Sequence, residues 1–295
     1  MLRLSARCFV LLLLACLSLA GCRREVVAPG DPVAAVKGMA AAVKDNDLVR
    51  YSRLSMPPKL HRQMEARWQA KLAAAAPPTV EQQRDYSRWM ARLTAVDAEE
   101  RLYRSFDGKL KKIEVEIGSQ WPLLQATGGI FVNGLIKAND KLTPAEKDHA
   151  KAVGSALLAW ATPPLLADRA KARQAIGVLT HTARGLKLST LQQTRQLEMI
   201  QALEKAGQGL KGLKQIGRIY GLDADASLAG VQAKVVSAAS DLATLEVSYP
   251  LLGQTVKFDM QLLRRDGRWY SADAVRDAEA ELAQPLAVAS RPATP

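Results

Sequence analysis

Thiols are almost absent from this chain of 295 residues: its three cysteines are Cys8, Cys16 and Cys22, and none follows. Everything beyond residue 22 therefore lacks the means to build a disulfide, a Cys-ligated zinc site, an iron–sulfur cluster or a thiol nucleophile. Histidine is nearly as scarce. His61, His149 and His181 lie far apart in the sequence, as expected of surface or half-buried residues rather than of a metal site. Aromatic residues make up only 5%, few for the stacking platforms on which single-stranded nucleic acids bind. The main apolar run, Phe9 to Leu19, is about half the roughly 20 residues that a spanning helix needs. A chain of this length can nonetheless bury a sufficient core without cross-links, so packing must hold it.

What is present begins at the N-terminus. Arg3 and Arg7 precede the apolar run and small Ala20 and Gly21 close it, the three-part layout of an exported leader. Leu19-Ala20-Gly21-Cys22 resembles the lipobox of bacterial lipoproteins. The resemblance implies that residues 1–21 are a signal peptide recognised through Leu19, Ala20 and Gly21. It further implies that Cys22 is acylated and that the mature protein starts there, held to a lipid bilayer. The plainer alternatives are an ordinary leader with a coincidental cysteine, or a buried N-terminal helix. Arg23, rather than Asp, follows the cysteine. By resemblance to enteric sorting this favours the periplasmic face of the outer membrane, with the inner membrane as the alternative. Residues 22–31, carrying Pro29 and Gly30, read as a tether of at most ~35 Å.

The net charge of +12 becomes +10 once Arg3 and Arg7 are removed with the leader. Such a surplus favours anionic envelope components in general and selects none of them. The expected address excludes nucleic acid as a partner. The tightest cationic clusters, Lys109-Leu110-Lys111-Lys112 and Arg264-Arg265, fit solvated faces.

Residues 32–222 read as a helical region. Asp31 can cap a helix with Pro32 in its first turn, after which Val33, Val36, Met39, Ala40 and Val43 repeat at helical spacing until Lys44-Asp45-Asn46-Asp47. A second helix follows Met56-Pro57-Pro58 and ends at Ala76-Pro77-Pro78. Thr79 with Gln82 forms a capping box for a third, expected to reach Tyr103 and to stop at Asp107-Gly108. Ile113 to Ile117 alternates as a strand does, yet Leu110, Ile113 and Ile117 share a helical face, and helix is the expectation. Further helices are expected from Thr143 to Trp160, from Pro163-Pro164 to near Gly185, and from Ser189 through Leu203.

Over residues 223–276 the apolar period changes to two. Val231, Ala233 and Val235, then Ala243, Leu245, Val247 and Tyr249, then Val256, Phe258, Met260 and Leu262 alternate with polar neighbours, and Asp266-Gly267 is a hairpin signal. This predicts a four-stranded antiparallel meander whose apolar face must be covered by the helices upstream, with residues 277–295 as a frayed helix running into a mobile tail. Fold class is therefore α+β, predominantly α. An opening helix into Lys44-Asp45-Asn46-Asp47-Leu48 and a closing Asp-Gly-Arg-Trp-Tyr hairpin resemble the nuclear-transport-factor-like, or cystatin-like, proteins. That resemblance implies an α+β fold with a helical unit before a closing antiparallel sheet, and no single function.

Candidate chemistry is sparse. Gly207-Gln208-Gly209-Leu210-Lys211-Gly212 satisfies GxGxxG but follows a helical pattern, so close helix packing is the expectation rather than a dinucleotide. Asp223-Ala224-Asp225 begins like a calcium loop, but Leu228 and Lys234 stand where glycine and the bidentate glutamate belong, so a helix cap is expected. Trp68, Trp89, Trp121 and Trp160 are expected in the core. Trp269 is expected under the helices, and Tyr270, on the other face, to be available to a partner. No cofactor and no catalytic residue is expected. The resulting expectation is a non-catalytic binding or scaffold lipoprotein of the envelope. The alternatives are an inhibitor or immunity-type protein that neutralises a toxin or lytic enzyme, and a hydrolase whose carboxylates converge only on folding.

Overall fold

The computed structural model describes residues 26–140 and 142–286. Leu19, Ala20, Gly21 and Cys22 lie outside the described residues. The chain is mainly helical with a C-terminal antiparallel sheet.

Helix α1 (Pro32–Lys44) starts where Asp31 accepts a hydrogen bond from the Ala34 amide, with proline in the first turn. It ends as Asn46 turns left-handed at φ 61°. After α2 (Leu48–Ser55), α3 (Pro58–Ala74) and α4 (Val80–Thr94) follow, the last opened by the Thr79–Gln82 capping box. The helix expected to run through to Tyr103 is instead broken at residues 95–97. Arg184 explains the break: its guanidinium donates to the carbonyls of Thr94 and Ala95 and grips Glu99 at 2.6 and 2.9 Å, so the carbonyls at the end of α4 are already engaged.

Helix α5 (Ala98–Lys112) passes through Asp107-Gly108 without stopping, another departure from expectation. Asp107 is drawn outward by Tyr103 and Arg169, and Gly108 faces open space. Helical backbone continues through a π-helical segment at Ile113–Ile117 and a 3₁₀ turn into α6 (Trp121–Ala138). Ile113 to Ile117 are thus helical, as their shared face implied, with one wide turn. Helix α6 lays Gly128, Gly129 and Val132 against α7 (Pro144–Trp160) and leaves Leu123, Ile130, Phe131 and Leu135 in solvent, Ile130 at 74% exposure.

A short α8 (Pro163–Leu166) leads into α9 (Arg169–Leu186). The long helix expected from Ser189 is divided into α10 (Leu191–Arg195) and α11 (Met199–Ile219). Trp68 donates its indole N–H to the Leu197 carbonyl in the gap, and Glu198 starts a fresh cap with Gln201. Helix α12 (Ala224–Ala229) is capped by Asp223, which fulfils the cap reading of the Asp-x-Asp segment.

The sheet has the order β1 (Gln232–Ala238), β2 (Leu242–Leu251), β3 (Gln254–Arg265), β4 (Arg268–Ser271), all antiparallel. Leu252-Gly253 and Asp266-Gly267 carry positive φ at both positions, the tight hairpin chemistry that matches strand twist. On one face Ala243, Leu245, Val247 and Leu262 are buried; α1 covers it at β1 and β4, α12 at β2 and α7 at β3. After Ser271 the chain turns directly into α13 (Ala272–Ala283), which packs back on β3, β4 and α3.

That last turn corrects one expectation. Tyr270 does stand on the face opposite Trp269, but it is 2% exposed and cannot meet a partner, because α13 follows β4 at once and buries it with the core. Beyond Arg276, where a frayed helix and then a tail are expected, the chain is helix as far as Ala283, held by Arg67 to Glu281 and to the Gln284 carbonyl. The tether is shortened from the other side. Ala28 is fully buried, Pro29 accepts the Trp269 amide and Arg268 donates to the Ala28 carbonyl, so residues 28 and 29 line the β4 edge. Two of the four tryptophans expected in the core are on the surface, Trp89 at 61% exposure and Trp68 at 37%. Trp160 is half-buried, its N–H donated to the Tyr220 carbonyl.

Candidate functional site

An almost wholly apolar opening lies between the helices and the covered face of the sheet. Helix α1 packs on β1 and β4 while α7 packs on β3, and the two leave a wedge between them. Its floor is Val247, Tyr249, Phe258 and Met260, paired across β2 and β3 as Val247 with Phe258 and Leu245 with Met260. Val36, Met39, Ala40 and Val43 of α1 form one wall, one side of an amphipathic helix facing the sheet. Val153 and Leu157 of α7 form the second, and Leu210, Leu222, Leu228 and Val231 close the third side. The cavity measures about 520 Å³, inside the range of small-molecule sites.

Three of its polar side chains are at least partly open to solvent. Tyr51 of α2 is exposed, and His149 of α7 and Tyr249 of β2 are half-buried. His149 Nε2 and Tyr249 Oη are 2.8 Å apart, and the imidazole stacks on Phe258 with ring centres 4.5 Å apart. Burial pushes the His149 imidazole below its ordinary range and the Tyr249 phenol above its own, so both are neutral near pH 7. No carboxylate is bonded to either among the described residues.

Deeper in the wedge, Lys214 of α11 is 7% exposed, and its ammonium is fully engaged. It donates to the carbonyls of Val43 and Lys44 at the C-terminus of α1 and to Asp225 at 2.7 Å. Asp225 also receives Arg218. A lysine that satisfies orphan helix carbonyls has a structural role here. Ser227 donates to the Asp223 carbonyl. The cavity thus presents no free ion to a ligand, and His149 with Tyr249 is its most developed polar feature.

A second, more polar cleft of about 630 Å³ is lined by Asp47, Arg53, His61, Arg62, Glu65 and Glu204 with Val26. The three histidines are far apart in the sequence, yet His61 has a carboxylate one helical turn on: Glu65 Oε1 lies 2.8 Å from its Nδ1. His61 is 4% exposed, and its buried Nε2 has no hydrogen-bond partner. Burial, partly opposed by Glu65, pushes its pKa down. This orients an imidazole as a base would be oriented, but no hydroxyl is bonded to Nε2. Among the described residues no three His, Cys, Asp or Glu side chains gather as a metal site.

The glycine motif lies within α11, away from any strand-to-helix turn. A Cβ on Gly207 would collide with the Asn46 carbonyl oxygen, and one on Gly212 with the Thr182 hydroxyl, so these glycines serve close packing as expected. The neutral aromatic pair and the wedge that it guards were not foreseen from the sequence. His149, with Tyr249 a hundred residues on, gave no local pattern, and only the alternation of β2, which put Tyr249 on the face of Val247, pointed toward it.

No family model matches this chain, nor does any curated protein or solved structure. Its function must therefore be argued from the cavity itself. No helix among the described residues is long and apolar enough to cross a membrane.

Proposed function

We propose that the chain is an envelope lipoprotein, anchored through acylated Cys22 at the periplasmic face of the outer membrane, that binds a small, mainly apolar molecule without transforming it. The observation that carries the binding role is the wedge between α1, α7 and the sheet. It offers about 520 Å³ of aliphatic and aromatic lining with every charged neighbour already paired. Filling such a space removes apolar surface from water at about 25 cal/mol per Å², and the site asks for no counter-ion in return. The anchor rests on the Leu19-Ala20-Gly21-Cys22 lipobox. Several buried chain methylenes, at about 0.8 kcal/mol each, would hold the protein at the bilayer where apolar molecules partition. The likeness of α1 and the meander to nuclear-transport-factor-like proteins belongs to the same reading.

Two measurements test it. Intact mass of the native product is expected to show a diacylglyceryl or triacyl adduct on an N-terminal Cys22; an unmodified thiol there, or a retained leader, removes the anchor. An environment-sensitive apolar dye is expected to bind with one-to-one stoichiometry and to lose its signal in Ala40→Trp and in Leu228→Trp, each of which fills the wedge. Unchanged dye binding in both folded variants would place the site elsewhere.

A further inference from the structure

Resting on that reading, we infer that the ligand is a single flexible acyl chain, entering chain-first, with its polar end held at the His149–Tyr249 pair. Three features of the wedge lead there. Its polar side chains are few and differ in access: Lys214 is buried, whereas Tyr51 is exposed and His149 and Tyr249 are half-buried, against a lining in which Val36, Met39, Val247 and Leu251 are buried. A ligand that fits is therefore apolar along most of its length and polar at one end.

Second, no ionic group is free to hold a charge within. The three protons of Lys214 go to the Val43 and Lys44 carbonyls and to Asp225, and Asp225 is shared with Arg218. A buried ligand charge would stay unpaired, at a cost that a saturated chain avoids. The head is met by the half-buried His149–Tyr249 pair, which supplies both a donor and an acceptor, whichever tautomer the ring adopts.

Third, the lining suits a chain better than a rigid ring system. Met39 and Met260 face the space from opposite sides, with leucines and valines between. Unbranched thioether side chains adjust to irregular contours, and an alkyl chain does the same by bond rotation. With a methylene taking roughly the volume of a water molecule, about 30 Å³, the 520 Å³ holds on the order of 15 chain carbons.

The same chain could arrive as a free fatty acid or on a lysophospholipid, and the test separates them. The mature chain carrying Cys22→Ser, which has no thiol to acylate, is delipidated and mixed with a 16-carbon fatty acid or a lysophospholipid, each bearing a terminal diazirine. After irradiation, labelled peptides are located by mass spectrometry. The expected labels fall on α1 and on β2–β3. Either probe labelling these peptides supports the chain, and the stronger one names its source. Unlabelled fatty alcohols are expected to compete about four-fold better with each added methylene, levelling off near 15 carbons. Ala40→Trp is expected to abolish labelling, and His149→Phe with Tyr249→Phe to weaken competition by amphiphiles about ten-fold while leaving plain alkanes unaffected.

Competition independent of chain length, or a compact polycycle displacing the apolar dye when no chain does, overturns the chain and leaves the apolar cavity standing. Retention of neither chain nor polycycle overturns both readings.

Discussion

Lys214 directs its ammonium to two carbonyls at the end of α1 and to Asp225, while 7% exposed. Replacing it by methionine keeps the stem and strands those acceptors, with Arg218 still neutralising Asp225. The expected loss is about 2–3 kcal/mol in urea unfolding. Glu99 is the other residue whose contacts set a measurable property. Arg184 holds it bidentately and Thr180 donates to it, which lowers its carboxyl to about 2 from 4.5. Because the folded value is depressed, the stabilisation is complete above the unfolded pKa and is lost as pH falls through the folded one. Denaturation of Glu99→Gln beside the parent should show a difference that is constant from pH 7 to about 5 and shrinks toward pH 2. A difference that grows on acidification would contradict the assignment. At this scale the sequence was informative about caps and hairpins, since Asp31, Thr79, Thr143, Asp223 and Asp266-Gly267 act locally. It was silent about Arg184, Lys214 and His149, whose partners lie 85 or more residues away in the case of Glu99, Val43 and Tyr249.

Among elements, α11 shows how a motif can mislead. Its glycines meet GxGxxG, but two of them mark places where the helix touches another backbone or side chain. The expectation is specific to each position. Gly207→Ala should cost about 1–3 kcal/mol, because the Asn46 carbonyl must move. Gly209→Ala, which faces open space, should gain up to about 1 kcal/mol from helix propensity. Equal effects at both positions in thermal unfolding would deny the packing account. Helix breaks were the least legible part of the fold. Periodicity continues across residues 95–97 and 196–198, so the pattern alone reads one helix where two exist. The breaks come from side chains of distant elements, Arg184 and Trp68, reaching the carbonyls between. Conversely, Asp107-Gly108 reads as a stop, yet tertiary contacts from Arg169 and the preceding Tyr103 carry the helix through.

For the whole molecule, the change of apolar period from 3.6 to 2 near residue 231 announced both the meander and the need to cover one of its faces. It did not announce that the cover is incomplete. Alternation says which residues face the helices, but the space left between α1 and α7 depends on where each helix crosses the sheet, a quantity no local pattern encodes. The same limit explains Tyr270: alternation places it opposite Trp269, and only the immediate return of the chain as α13 buries that residue with the rest of the core. The central claim is that the wedge holds an apolar molecule. Native mass spectrometry of the protein isolated from the cells that make it tests this most directly. The account predicts a non-covalent adduct of a few hundred daltons on the parent, absent from folded Ala40→Trp; a parent that carries no adduct and takes up no apolar compound when offered one would contradict it.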